Sequence, residues 1–266
     1  MPDDTFAELE SVLASGGAGP MLARLAEALR AEKRYHELFD ARLLASRHEL
    51  GLPPILSGTL DELPEAERNQ LEERYVEACR EVGHLLLADG LIREAWMYLR
   101  PTGDREAVSE ALTRLAQADD LAERQQIEPL VEVALHEGVN PELGYRVVLD
   151  HYGTCNAITL LEGMVHERPR AQQQLLVGLL IRRVYNDLLA NVRADVERRS
   201  GKSAAEASLA SLLEGADDLL AEDNYHLDTS HLHATVRFAR LVEDRELIGL
   251  AWELTEYGRR LAALYQ

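Results

Sequence analysis

Three histidines and two aspartates fall within the thirteen residues DNYHLDTSHLHAT, positions 223–235. These residue types ligate transition metals and transfer protons. His226, Asp228 and His231 could hold one zinc or other transition-metal ion as loop, helix-cap and first-turn ligands. A fourth ligand would then come from His151 or from a carboxylate on a distant helix. This interpretation predicts a metal-dependent hydrolase whose metal-bound water is the nucleophile.

The same stretch has two interpretations that need no metal. Asp228 or Thr229 is well placed to cap a following helix, because a side-chain oxygen there accepts bonds from the free amides of the first turn. Asn224 and Tyr225 would instead suit contact with a partner if they lie in a loop beside a groove. Acidic residues upstream would then favour a basic peptide. The residues alone leave all three interpretations open.

A second cluster is HYGTCNAIT, residues 151–159. On one continuous helix His151 and Cys155 would share a face and could ligate zinc or act as base and thiolate. Gly153 favours a corner between two helices instead, with Thr154 as the cap of the second helix and Cys155 packed as a small apolar residue. The two clusters together supply the candidate binding residues His151, Tyr152, Asn156, Asn224, Tyr225 and His226.

Common catalytic motifs are missing from the sequence. Each of its four His-Glu dipeptides lacks the second histidine of the zinc motif HExxH. The tail SGKS, residues 200–203, lacks the earlier glycine and the strand of a phosphate-binding loop. Neither GxGxxG nor GxSxG occurs. The sequence therefore favours a protein without catalytic residues or a cofactor, with the metal site as the alternative.

Composition and charge narrow the class of protein. The 266 residues are 46% hydrophobic, with few aromatic residues, which is typical of a folded helical protein. A formal charge of −19 disfavours binding to nucleic acid. Two cysteines provide no disulfide framework, so we expect a reducing, cytoplasmic location. The longest uncharged apolar run, residues 175–181, is far shorter than the ~20 residues that span a bilayer. We therefore expect no membrane partner.

Apolar residues recur at spacings of three and four along almost the whole chain, which predicts a succession of helices. Short connections between them favour an all-α fold in which antiparallel helix pairs stack as an irregular α-solenoid or bundle. We expect a single domain over residues 1–266, with a candidate sub-boundary near 101–104. The pattern predicts helices at residues 64–88 and 121–137, among others, and a long helix from Pro169 toward Arg199.

One segment, VGHLLLADGLIREAWMYL at residues 82–99, resembles a tetratricopeptide repeat. Gly83 stands where that motif has a small residue for close helix packing, Gly90 ends the first helix, and Ala95 is the small residue opposite. A weaker copy lies at residues 22–44, where Lys33 replaces the turn glycine. The copies are about 57 residues apart rather than near 34, so the resemblance is to an irregular, divergent array covering about half the chain.

Members of the tetratricopeptide family are mostly scaffolds, so the resemblance implies a groove that binds a protein or peptide. Together with the acidic charge it favours a cytoplasmic interaction module with a basic partner over an enzyme. A third hypothesis is association of identical chains through apolar surface near the C-terminus. The residues considered for that surface are Trp252, Tyr257, Leu261, Leu264 and Tyr265.

Overall fold

The computed structural model is helical in every part of the chain that it describes. The described residues are 3–55, 63–118, 121, 123, 125–201, 203–204, 208–214, 217–220 and 225–264. They form thirteen α-helices and no strand, which confirms the all-α prediction for this part of the chain. None of the described helices has both the length and the apolar character needed to cross a bilayer.

The helices group into two compact units, unit 1 at Met1–Val133 and unit 2 at Ala134–Gln266. Each unit has its own buried aliphatic core. The expectations of a single domain, of a sub-boundary near residues 101–104 and of a solenoid arrangement remain predictions.

Unit 1 consists of seven helices that pack mainly on their neighbours in sequence. They are α1 (Asp3–Gly16), α2 (Ala18–Ala31), α3 (Tyr35–Glu49), α4 (Glu65–Ala88), α5 (Ile92–Leu99), α6 (Arg105–Ala116) and α7 (Ile127–Val131). Contacts join α1 to α2, α2 to α3, α3 to α4 and α4 to α5. Two helix hairpins, α2–α3 and α4–α5, therefore stack through α3 and α4.

The two hairpins have the same turn. Lys33 and Gly90, which stand 57 residues apart, both take left-handed backbone angles, with φ of 57° and 80°. In each turn the next amide donates to a carbonyl five residues earlier at 2.9 Å, which closes the end of the first helix. Lys33 thus does occupy the place of the turn glycine. The turns support an internal repeat of helix pairs, and the tetratricopeptide type of that repeat remains a prediction.

Close helix packing in the second hairpin depends on Gly83. A Cβ atom at this position would lie 2.7 Å from Leu99 Cδ2, far inside van der Waals contact. Val82, Leu86 and Ala95 are buried beside it. The sequence predicts a small residue at position 83, and the close approach of α4 to α5 explains why one is needed there.

The predicted helix over residues 121–137 is wrong in extent, because α7 covers only Ile127–Val131 and is followed by a π-helical turn at Glu132–His136. Pro129 explains the late start. Proline has no amide hydrogen to donate, so it fits the first turn of a helix and not a position further inside. Gln125 before it has a φ of 56°, which also breaks a helix.

Unit 2 is built around one long helix, α10. Its helices are α8 (Pro141–His151), α9 (Gly153–Met164), α10 (Arg170–Ser200), α11 (Leu209–Leu213), α12 (Thr229–Phe238) and α13 (Arg245–Leu264). Helix α10 contacts all five of the others. Five of the seven residues in its apolar run at 175–181 are buried, and Leu175 at the start of the run is exposed.

We predict opposite effects for two glycine-to-alanine substitutions within helices. Gly83→Ala should lower the free energy of unfolding by about 1–3 kcal/mol, because the added methyl overlaps Leu99. Gly163→Ala in α9 should raise it by about 0.5–1 kcal/mol, because alanine favours helix and a Cβ there meets no atom within 4 Å. Urea unfolding followed by circular dichroism measures both changes, and equal midpoints for the two variants would contradict this packing.

Candidate functional site

His226 lies in a buried polar cluster of unit 2, not in an open site. Its Nε2 is 3.1 Å from Asp195 Oδ2 on α10, and its Nδ1 is 3.3 Å from the hydroxyl of Tyr257 on α13. The same hydroxyl accepts a bond from the His226 amide at 2.9 Å. Asn191 donates to the His226 carbonyl at 2.8 Å. The short segment before α12 is thus tied to two helices of the unit.

Burial removes this cluster from solvent. The side chains of His226 and Asp195 are 4% and 3% exposed. Arg198 and Arg199 also donate to the Asp195 carboxylate, so the buried charge has cationic partners. Burial raises the pKa of Tyr257, which keeps its hydroxyl protonated at neutral pH. Both ring nitrogens of His226 thus have protein partners within unit 2.

The other two residues of the alternative metal set are Asp228 and His231. Asp228 bonds to a neighbouring residue in sequence, and His231 is half-buried. Asp228 is the N-cap of α12, as predicted, and accepts bonds from the amide and hydroxyl of Ser230 at 2.8 and 2.6 Å. The Ser230 hydroxyl and amide hold the pKa of Asp228 below its usual range. In the described residues, no three His, Cys, Asp or Glu side chains stand close enough to hold an ion. His226, Asp228 and His231 are therefore not brought together.

The cluster at residues 151–159 forms a corner between α8 and α9. Gly153 has a φ of 80°, which ends the helical alignment of His151 with Cys155. Two details of the predicted corner are wrong. Cys155 is exposed rather than packed, and the cap position of α9 is Tyr152, so Thr154 does not cap the helix.

The candidate binding residues divide between surface and interior. His151, Tyr152, Asn156 and Tyr225 are exposed, His226 is buried, and Asn224 lies outside the described residues. The Asn156 amide donates to the Tyr152 carbonyl at 2.7 Å, so part of its polar capacity is used within its own helix. Their role in binding a partner remains a prediction.

A polar groove of about 510 Å³ lies between α9 and α12. Cys155 and His231 line it, so one residue from each predicted cluster does reach a common cavity. An ion pair between Arg237 and Glu162 also borders it. With this pair in place, the carboxylate and the guanidinium in the groove lining offset each other's charge.

Unit 1 contains a second groove that sequence reasoning missed. It measures about 440 Å³ and lies between α3 and α4, within the size range of ligand and peptide pockets. Five of its seven lining residues are uncharged and largely apolar: Leu43, Leu71, Tyr75, Val76 and Pro101. Arg47 and Glu72 complete the lining. We call this feature the α3–α4 groove.

Aromatic side chains continue from this groove along α3. Phe39 packs edge-on against Tyr75, with ring centroids 5.6 Å apart, and lies 5.0 Å from the ring of Tyr98. The Tyr98 hydroxyl bonds His36 Nδ1 at 2.8 Å. Tyr75 is 43% exposed and belongs to both the aromatic group and the groove lining. Tyr75 therefore joins the aromatic group to the groove lining.

The phenols of this surface stay neutral at physiological pH. Burial is the main cause that raises the pKa of Tyr98. The pKa of Tyr75 is raised chiefly by the neighbouring Cys79 thiol and then by burial. Cys79 itself is buried, and burial raises its pKa. Uncharged phenols can lie against apolar side chains and still donate one hydrogen bond each.

The sequence carried a weak signal for this groove. Phe39, Leu43 and Arg47 recur at spacings of four along α3, and Leu71 and Tyr75 do so along α4. Such a stripe is also the pattern of a helix that faces a core. Only the three-dimensional structure shows that the stripe stays partly uncovered.

No protein-family model, curated protein or solved structure matches the chain. Its function is therefore inferred from its own contacts and charges.

We predict that His226 and His231 contribute unequally to stability. His226→Ala should lower the free energy of unfolding by about 2–4 kcal/mol, because it removes a buried imidazole that bonds both Asp195 and Tyr257 and leaves a cavity in its place. His231→Ala should change it by less than about 0.5 kcal/mol. Urea unfolding of both variants, with and without EDTA, tests this. A shared metal ion would require similar losses in both variants and a wild-type protein that EDTA destabilises.

Alkaline pH should weaken unit 2 through Tyr185. The pKa of Tyr185 is raised from its ordinary value of 10 to about 12. Burial is the larger cause, and a 3.0 Å hydrogen bond to Glu253 is the second. The unfolded chain therefore loses this proton first, and stability falls between pH 10 and 12. Tyr185→Phe should show a smaller fall over that window than wild type in urea unfolding at stepped pH. Tyr225→Phe, at an exposed position, is the control and should follow the wild type.

Proposed function

We propose that the protein is an interaction module whose α3–α4 groove binds an amphipathic segment of a partner protein. The segment would place aliphatic side chains in the groove and lysine or arginine along its edges. The observation that carries the proposal is a largely apolar groove whose described lining residues are only partly buried, and which shares Tyr75 with a partly exposed aromatic group. Surfaces of this kind are typical of sites where an amphipathic helix is held.

The groove lining supplies the attraction. Each apolar side chain that a partner buried there would contribute about 25 cal/mol per Å² removed from water. Tyr75 is the expected anchor, because a half-exposed aromatic residue beside a pocket offers large contact area at low entropic cost. Leu43, Leu71 and Val76 are also incompletely buried, so they too have surface left to cover.

Charge around the groove favours a basic segment. Helix α4 contains six glutamates and three arginines, and the whole chain carries a formal charge of −19. Glu72 lines the groove directly. Arg47, the one cationic lining residue, donates to the carbonyl of Pro54 at 2.8 Å. Complementary charge chiefly raises the rate and selectivity of association.

Contacts between the hairpins hold the groove open in advance. Arg42 makes two bonds to the Glu81 carboxylate at 2.7 and 2.8 Å, which joins α3 to α4. Asp89 in the second turn accepts bonds from Lys33 and Tyr35, both at 2.9 Å. A site that is already formed avoids part of the entropic cost of binding.

The hydrolase alternative is not part of the proposal. It requires His226, Asp228 and His231 around one ion, and His226 and Asp228 bond instead to protein groups. In the part of the chain that the structure describes, His226 is also only 8% exposed as a whole residue, which does not favour contact with a substrate.

We predict that the groove binds a synthetic basic amphipathic helix of about 14 residues, or four turns, with leucines on one face and lysines on the other. Binding measured by fluorescence anisotropy should have a Kd on the order of 10 μM. Tyr75→Ala and Leu71→Lys should each weaken it at least about tenfold. A peptide of the same pattern with glutamates in place of lysines should bind at least about tenfold more weakly.

Met97→Lys is the matched control for Leu71→Lys. Met97 is an apolar residue of the same unit that is 72% exposed and does not line the groove. Its substitution should leave binding unchanged, and circular dichroism should show that all variants are folded. Absence of binding by the wild-type protein, or equal loss from Leu71→Lys and Met97→Lys, would overturn the proposal.

A further inference from the structure

The outer face of α13 carries an exposed tryptophan. Trp252 is 65% exposed and Ile248, one turn earlier, is 47% exposed. The opposite face of the helix is buried in unit 2 through Leu247, Leu254 and Tyr257. Among its described residues, helix α13 therefore has apolar side chains on two faces, one of them buried and the other exposed.

This structure corrects the surface considered for self-association. Tyr257 and Leu261 are 0% and 5% exposed, so neither is available to a partner. The side chains of Leu264 and Tyr265 lie outside the described part of the chain. Trp252 is the member of that set whose described side chain is exposed.

Trp252 belongs to a stripe of four residues. Arg245, Gly249, Trp252 and Glu256 recur at spacings of four, three and four, which is the seam pattern of two helices packed side by side. A Cβ atom at Gly249 would meet nothing within 4 Å, so the space above the backbone is open at this position. The face thus offers a protruding ring and, three residues earlier, open space above a residue with no side chain.

We propose that a second copy of this chain covers the face by antiparallel packing of α13 on α13. A two-fold axis between positions 250 and 251 places Trp252 of each copy over Gly249 of the other. The same register places Arg245 opposite Glu256 of the second copy, so opposite charges meet at both ends. The shape and charge of the stripe are self-complementary in this single register.

Glu256 already has a neighbour on its own helix, Arg259, at 2.8 Å. Its side chain is 34% exposed, so it can accept a further bond from an approaching guanidinium. Arg245 is exposed at the start of α13. A single helix pair buries less than the ~1,200 Å² of a standard stable complex, so the dimer has a Kd on the order of 10–100 μM.

Sedimentation equilibrium of the full chain from about 1 to 300 μM, a range that brackets this Kd, tests the interface. The wild-type protein should show a reversible monomer–dimer equilibrium, and Trp252→Glu should weaken it at least about tenfold. Leu175→Glu is the control, because Leu175 is an exposed apolar residue of the same unit that lies off the stripe. It should dimerise as the wild type does.

Two further variants test the register. Gly249→Leu should weaken the dimer, because its side chain fills the open space that Trp252 of the second copy would occupy. The monomer should stay folded, since a Cβ atom at position 249 meets nothing within 4 Å. Arg245→Glu and Glu256→Arg should each weaken the dimer, and the double variant should recover it. A wild-type monomer at every concentration, a Trp252→Glu dimer of unchanged affinity, or no recovery in the double variant would overturn the proposal.

Discussion

Stacking of the α2–α3 hairpin on the α4–α5 hairpin determines the surface of unit 1. Neither hairpin can bury both faces of its helices alone, so α3 and α4 must pack on each other. The Arg42–Glu81 pair and the contacts of Asp89 join the hairpins through polar groups at defined separations. The aliphatic residues on another side of α3 and α4 are then left only partly covered. The groove is thus a consequence of how the core of the unit is built.

In unit 2, histidine and aspartate side chains form structural hydrogen bonds. Asp195 is a buried carboxylate that organises His226, two arginines and, through His226, the hydroxyl of Tyr257. Losing Asp195 would leave the buried imidazole of His226 without its carboxylate partner, so the cluster favours one arrangement of α10, α13 and the segment before α12. Asp228 likewise has a structural role, as the N-cap of α12. Histidine and aspartate in close sequence here mark a structural junction.

Periodicity was sufficient to predict most of the helices, and turn and cap chemistry was sufficient to predict the corner at Gly153 and the cap at Asp228. The physical requirements of these two positions are local, so they can be inferred from neighbouring residues, whereas the small residue at Gly83 was predicted from the resemblance to a tetratricopeptide repeat. The partner of His226 could not be inferred, because Asp195 and Tyr257 each stand 31 positions away. The α3–α4 groove was missed for a related reason. Leu43 and Tyr75 follow the same pattern as buried residues, and their exposure depends on packing between distant helices.

The most direct test of the account is nuclear magnetic resonance of the methyl groups of unit 1 during titration with the basic amphipathic peptide. The account predicts that the largest shift changes occur at Leu43, Leu71 and Val76, with the methyl group of Met97 unaffected. Tyr75→Ala should reduce those changes at equal peptide concentration. Shift changes centred on residues outside the α3–α4 groove, or none at saturating peptide, would contradict the claim that this groove binds a partner.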